Sequence, residues 1–245
     1  ESIQKPLEYY DNNVLGMICL IKAMRDHDVY NIVFSSSAAV YGIPKKLPIT
    51  ESAATRPTTP YGESKLAGEQ LLNALTLSDS RWKVVNLRYF NPTGAHPSGL
   101  LGENPRGIPM NLMPYLLQVA TGQREFLSIY GGDYNTPDGT CVRDYLHVMD
   151  LAEGHLAALH YLEQQHTGFS LSLNLGRGAG ISVLEMHHAF EAAVGHELPY
   201  RIMPRRQGDT DRLFAEPSLA QQILGWQATR PVQAMCTDLW RYAST

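Results

Sequence analysis

The chain has 245 residues, 44% hydrophobic and 18% charged, with a formal net charge of −4; that is enough length for one large domain or two small ones with a sizeable core. With no basic excess to neutralise phosphates, nucleic acid is excluded as the main partner, and Cys19, Cys141 and Cys236 are too few and too scattered for a disulfide framework or a zinc site. No apolar run is long enough to span a bilayer and no signal-peptide pattern is present, so a cytoplasmic enzyme with no membrane partner is the expected class.

The chain opens at Glu1, and Leu7 to Met24 already reads as an amphipathic helix, running to about residue 26. This opening is that of a chain starting inside a domain, so a fragment of a longer protein is expected. Asn31 to Ser35 is a short apolar strand, followed by a loop with Pro44, Pro48, Pro57 and Pro60. Pro60 suits a helix start, and a helix is expected from about Tyr61 to Leu77. Val84 to Tyr89 is the next strand. Strands alternating with helical crossovers mean a parallel, doubly wound α/β sheet of Rossmann type. From Asn91 to Pro109 the chain is rich in Gly, Pro and Asn, which reads as a functional loop. Then come a helix near 110–121, a strand near 126–130, a strand and turn at Arg143–His147, a helix at 148–163 and a strand at 171–175. Helices near 182–194, 217–224 and 231–242, with a strand at 199–203, finish the chain. The division expected is a cofactor-binding part over 1–90 and a smaller, mainly substrate-binding α/β part over 91–245.

Tyr61 and Lys65 fall one turn apart on one helix face. Tyrosine ionises near pH 10, so alone it is a poor base at neutral pH, and an ammonium within a few ångströms favours the phenolate. Tyr-x-x-x-Lys is a common spacing and usually marks a solvated helix face. The run Ser35-Ser36-Ser37 changes that balance, because it ends a parallel strand, where ligands of open α/β sheets bind. Asn91 lies just past the next strand at the same sheet edge, where it either caps a turn or donates an amide to a ligand. Arg143, and Arg205-Arg206 with Asp209, supply planar paired donors suited to a diphosphate and a carboxylate suited to a ribose diol. Gly176-Arg177-Gly178-Ala179-Gly180 imitates a dinucleotide fingerprint but lacks its full spacing, so it reads as a strand-to-helix turn. His96, His155, His160 and the pair His187-His188 read as structural or rim histidines, and no metal is expected.

Ser-Ser-Ser-Ala-Ala-Val-Tyr-Gly at 35–42, Pro-Tyr-Gly-Glu-Ser-Lys at 60–65, Leu-Arg-Tyr-Phe-Asn-Pro-Thr-Gly-Ala-His at 87–96, Asn-Leu-Met-Pro-Tyr at 111–115, Asp-Gly-Thr-Cys-Val-Arg-Asp-Tyr-Leu-His-Val at 138–148 and Arg-Arg-Gln-Gly-Asp at 205–209 together resemble the UDP-glucose 4-epimerase family. That family belongs to the extended short-chain dehydrogenase/reductases, and the match runs from Glu1 almost to Thr245. The resemblance implies tightly held NAD, a UDP-sugar substrate, exchange of UDP-glucose with UDP-galactose in galactose metabolism, and a homodimer. It implies that Tyr61 takes the proton of the sugar 4-hydroxyl and that Ser37 shares that hydrogen bond. Lys65 would lower the Tyr61 pKa and bind the nicotinamide ribose, with Asn12 and Phe90 on the cofactor side. For the substrate it implies Arg143 and Arg206 on the diphosphate, assisted by Asn91. Asn111 and Leu112 would line the UDP site, Ser128 and Tyr130 flank the uracil, Asp209 hold its ribose, and Leu213 line the sugar pocket.

Three departures stand out. Ala39 replaces the threonine that usually follows in the serine motif. Leu213 occupies a position that varies in size within the family, which leaves N-acetylated sugars undecided. The opening βαβ unit with its Gly-rich turn is not in these residues, so the 245 residues alone are expected to hold NAD poorly. Two other readings stand beside the epimerase. A dehydratase would place an acid pair after the serines, where this chain has Ala38-Ala39; a catalytically silent remnant would only bind nucleotide sugar or a partner.

Overall fold

The computed structural model describes every residue except Arg106, Ile108, Met110, Gln207 and Thr245. The chain divides into two compact units. The first comprises Glu1–Phe90, Glu153–Leu175 and Ala215–Gln227, and the second Asn91–Ala152, Gly176–Phe214 and Ala228–Thr245.

The first unit is built on one parallel sheet of order β1-β2-β7, from β1 (Asn31–Ser37), β2 (Lys83–Tyr89) and β7 (Phe169–Leu175). In register, Ser37 lies opposite Tyr89 and Tyr89 opposite Leu175, so the carboxyl ends of all three strands form one even edge. Val84 to Arg88 of the central strand are buried throughout, as a strand covered on both faces requires. The serine run therefore closes β1 itself: pairing with Leu87–Tyr89 carries the strand two residues beyond its apolar stretch.

The expected first helix is α1 (Pro6–Tyr10) and α2 (Gly16–Asp26), joined by a π-helical stretch at Asp11–Leu15 that holds Asn12. Met17 and Ile21 of α2 pack with Ile32, Trp82, Val84 and Leu72, the last from α3 (Pro60–Ser78). Each such side chain removed from water contributes about 1.5–3 kcal/mol. α5 (Val148–Gln164) begins in the second unit and ends in the first, which also holds α7 (Ser218–Leu224).

In the second unit, short strands pair locally. β3 (Asn91–Thr93) runs parallel to β6 (Tyr145–His147), and β4 (Leu127–Tyr130) parallel to β9 (Tyr200–Met203). β5 (Val142–Arg143) sits between β10 (Arg212–Leu213) and the antiparallel β8 (Ile181–Ser182). Asn91–Thr93, expected in the long loop, is thus a strand, because β6 supplies its partner. α4 (Leu112–Ala120), α6 (Val183–Val194) and α8 (Val232–Ser244) enclose a core that includes Met113, Leu116, Met186, Phe190, Met235 and Leu239. α6 starts on a capping box between Ser182 and Glu185 and stops at Gly195, whose φ of 90° suits only glycine well.

Candidate active site

Thr59 caps α3 by accepting a hydrogen bond from the Gly62 N–H at 3.2 Å, which places Tyr61 in the first turn. A Cβ on Gly62 would lie 2.7 Å from the Ala39 carbonyl oxygen. Only glycine therefore lets the head of α3 abut the 3₁₀ turn Ala38–Tyr41 that follows Ser37. Six residues further along the same helix, Gly68 gives the Phe34 ring similar access, since a Cβ there would come within 2.8 Å of it. These two close approaches seat α3 against β1 and bring Tyr61, Lys65 and Ser37 together.

The Ser37 hydroxyl accepts from the Ala39 N–H at 3.2 Å, and its proximity to Tyr61 acts to lower the pKa of that phenol. Lys65 Nζ donates to the Ser35 carbonyl at 3.0 Å and lies 5.8 Å from the Tyr61 ring centre. Burial pushes the Tyr61 phenol above its ordinary value, with Ser37 pulling the other way, and burial lowers the Lys65 ammonium. The expected lowering of Tyr61 by Lys65 is thus not found in this state. The ammonium is turned to a backbone oxygen, and loss of water dominates at both groups. Asn13 Nδ2 donates to the Ser64 hydroxyl at 2.9 Å, and Ser64 donates to the Tyr61 carbonyl at 2.8 Å, so the π-helical stretch braces the first turn of α3. Asn12 is in that stretch with its amide on Asn13, and Phe90 is buried at the end of β2 with its N–H on the Leu175 carbonyl.

Behind these groups lies a network that the sequence reading missed. Arg88 on β2 forms two hydrogen bonds to Glu69 of α3, at 2.9 and 2.5 Å, and Ser36 donates to the same carboxylate. Arg88 also donates to the Tyr41 hydroxyl at 3.1 Å, and Tyr41 donates to Asn174 of β7 at 2.6 Å. Glu51, whose carboxyl burial raises, accepts from the Asn174 N–H at 2.8 Å. Arg88 and Glu69 are 8% and 6% exposed at the side chain, so this pair is desolvated and held by geometry. The signal was an arginine inside the otherwise apolar strand Val84–Tyr89, with a glutamate one turn beyond Lys65.

In the second unit Arg143, Arg206, Asp209, Tyr130 and Leu213 come together. Asp209 pairs with Arg206 Nε at 2.9 Å and lies 3.7 Å from Arg143. Arg206 lies 5.0 Å from the Tyr130 ring centre, and Leu213 is in register with Arg143 across β10 and β5. Two guanidinium groups around one carboxylate leave a net positive charge, suited to a diphosphate. Asn111 precedes α4, Leu112 is its first residue and Ser128 lies on β4; among the described residues no side-chain hydrogen bond ties them to that cluster. Asn91 holds β3 to the Asp144 carbonyl through its N–H at 3.0 Å. The Asp144 carboxylate accepts from the N–H groups of Arg177 and Gly178 at 2.8 and 3.1 Å. The Gly176–Gly180 turn therefore holds a side-chain anion. Gln207 of the Arg-Arg-Gln-Gly-Asp motif lies outside the described residues. Among the described residues no helix is long and apolar enough to cross a membrane.

Residues 1–239 match the family described as GDP-mannose 4,6 dehydratase. The chain is 54% identical over 243 residues to human UDP-glucose 4-epimerase, spanning 99% of itself and 69% of that protein. It is also 54% identical to the Bacillus subtilis UDP-glucose 4-epimerase, over 100% of the chain and 72% of that protein. In three dimensions it resembles the Stenotrophomonas maltophila UDP-glucose-4-epimerase, solved with bound NAD and formylated UDP-arabinopyranose. That likeness has a TM-score of 0.96 and 49% identity, and covers all of this chain and 72% of the other. The Bifidobacterium longum UDP-glucose 4-epimerase, in complex with NAD+ and UDP, gives a TM-score of 0.93 and 50% identity, with the same coverage. With more than half its residues identical to epimerases that it covers over two thirds of their length, the chain belongs to the UDP-glucose 4-epimerase family.

Proposed function

We propose that the chain is an NAD-dependent isomerase that interconverts UDP-glucose and UDP-galactose, the reaction of galactose metabolism. The observation that carries this reading is the seating of Tyr61, Ser37 and Lys65 at one sheet edge through the Gly62 contact. Those three groups offer a phenol, a hydroxyl and an ammonium, a donor set that fits a ribose and a reacting sugar hydroxyl. NAD, when bound, supplies the hydride acceptor and donor; Lys65, Tyr61, Ser37, Asn12 and Phe90 would hold it.

Tyr61 removes the proton from the sugar 4-hydroxyl and later returns it, acting as base and then acid. Ser37 hydrogen-bonds the same oxygen and keeps the phenol aimed at it. Lys65, freed from the Ser35 carbonyl, bonds ribose hydroxyls and favours the phenolate by its charge. The 4-keto sugar must turn over before it is reduced on its other face, so its nucleotide needs a firm anchor. Arg143 and Arg206 bind the diphosphate with Asn91, Asp209 holds the uridine ribose, Ser128 and Tyr130 flank the uracil, and Asn111 and Leu112 line the UDP site. Leu213 borders the sugar. In this reading residues 1–90 carry the cofactor and catalytic groups and 91–245 mainly the nucleotide-sugar groups, in a cytoplasmic homodimer.

The test is conversion of UDP-galactose to UDP-glucose with NAD present, in the natural full-length protein. Tyr61→Phe should lower turnover by roughly 10²–10⁴-fold, the usual worth of a proton-transfer group. Near-normal turnover by that variant would remove Tyr61 from the mechanism. The match to a dehydratase family gives a second reading; release of a dehydrated 4-keto sugar in place of UDP-glucose would select it.

A further inference from the structure

On α6, in no role assigned above, His187, His188 and Glu191 hold ligand-type atoms within 4.8 Å of one another. His187 is only 1% exposed. Its Nε2 is 2.8 Å from the Leu198 carbonyl, which can only accept, so the proton of the neutral ring is on Nε2. Nδ1 then carries a lone pair, is buried, and has no hydrogen-bond partner among the described residues. It faces Glu191 Oε2 at 3.6 Å, another acceptor. Two lone pairs aimed at each other repel unless a cation lies between them. The separation is long for N–H···O, which prefers 2.7–3.2 Å. It is close to the edge of a tetrahedral site, about 3.4 Å for metal–nitrogen and metal–oxygen bonds near 2.0–2.2 Å.

We propose that His187 Nδ1, Glu191 and His188 form a binding site for a divalent first-row transition metal of the zinc type, with water completing the shell. Imidazole and carboxylate suit such an ion, whereas magnesium and calcium favour oxygen alone. The supporting shell is in place. Leu198 fixes the His187 ring through its carbonyl and fixes Glu191 through its N–H, which donates to Oε1 at 2.7 Å. The Tyr200 ring packs edge-on against His187 at 5.1 Å between centres. His188 is exposed, so the ion has a path from solvent. The site is independent of the nucleotide-sugar chemistry, and it ties the last two turns of α6 to the segment entering β9. It replaces the structural reading given to this histidine pair from the sequence alone.

Titration calorimetry of the 245-residue chain with Zn²⁺ should show one tight equivalent. His188→Ala and Glu191→Gln, neither of which opens a buried apolar cavity, should each weaken it by more than roughly 10-fold. Mg²⁺ should give no such binding. Absence of zinc uptake would mean that a proton bridges His187 and Glu191, and would overturn the proposal. So would zinc affinity equal to that of the unaltered chain in both variants, or equal response to Mg²⁺.

Discussion

Two charge clusters, one in each unit, hold their charges differently. In the first, Arg88, Glu69, Tyr41 and Asn174 are withdrawn from water and, with the half-buried Glu51, joined by directed hydrogen bonds. In the second, Arg206 has 58% of its side chain exposed, and it lies beside the ring of Tyr130, itself 41% exposed. A buried pair is rigid because breaking either partner strands the other in a low-dielectric setting. Where one partner stays in water, as Arg206 does while Asp209 is only 19% exposed, water or a phosphate can take over that partner at little cost. Rigidity therefore sits behind the proposed proton-transfer group, where an ångström of error is costly. Exchangeable charge sits with the residues proposed to grip the diphosphate.

Glu69→Ala is the sharpest way to break this contrast. Removing one member of the buried pair should cost about 3–5 kcal/mol in urea unfolding. The double change Glu69→Leu with Arg88→Met should recover most of that loss, because no unpaired charge remains. A single variant that loses less than about 1 kcal/mol would show that the pair is no more rigid than a surface one. Next in size is Gly62→Ala, which forces a methyl group against the Ala39 carbonyl. Overpacking of this kind costs about 1–3 kcal/mol, and turnover should fall further than stability predicts because Tyr61 moves relative to Ser37. Unchanged turnover would mean that the close approach does not seat Tyr61.

The second unit has a buried group of its own, and it titrates. His147 accepts at Nδ1 from the Met149 N–H at 3.0 Å and lies 3.3 Å from Asp238 through Nε2. Burial lowers its imidazole below the ordinary 6.5, outweighing Asp238, which raises it. The folded chain then binds fewer protons than the unfolded chain as pH falls through 6.5. The stability that His147 contributes is complete above that pH and is lost on further acidification toward its folded value. The urea midpoint should drop between pH 7.5 and 5.5, and His147→Gln should flatten that dependence; an unchanged slope would exclude His147 as the titrating group. The smallest expected effect on stability is that of Arg206→Ala, under about 1 kcal/mol because its guanidinium is mostly in water and Asp209 keeps Arg143 beside it, while KM for the UDP-sugar should rise.

The sheet strands and α3 were legible because each carries its own local pattern: apolar runs at 31–35 and 84–89, and a proline-led helix start at Pro60. What escaped was set by partners distant in the chain. Ser36 and Ser37 extend β1 only because Arg88 and Tyr89 pair with them, and Asn91 becomes strand only because Tyr145 lies beside it. The π-helical stretch around Asn12 leaves no mark in apolar periodicity. Tyr61, Lys65 and Ser37 were visible as a motif, but their pKa directions depended on desolvation, which spacing does not encode. Glu69 and Glu51 carry no local sign of burial; only the fold buries Glu69 and half-buries Glu51.

Asp144 carries a consequence for ligand choice. Backbone N–H groups at a glycine-rich turn attract whatever anion comes within reach. Here the protein has fitted its own carboxylate into that turn, linking Arg177 and Gly178 to the chain just before β6. A free phosphate or a nucleotide tail would have to evict a tethered competitor whose effective concentration no solute matches. The turn is selective by pre-emption, which is why the diphosphate site proposed above falls to the arginines.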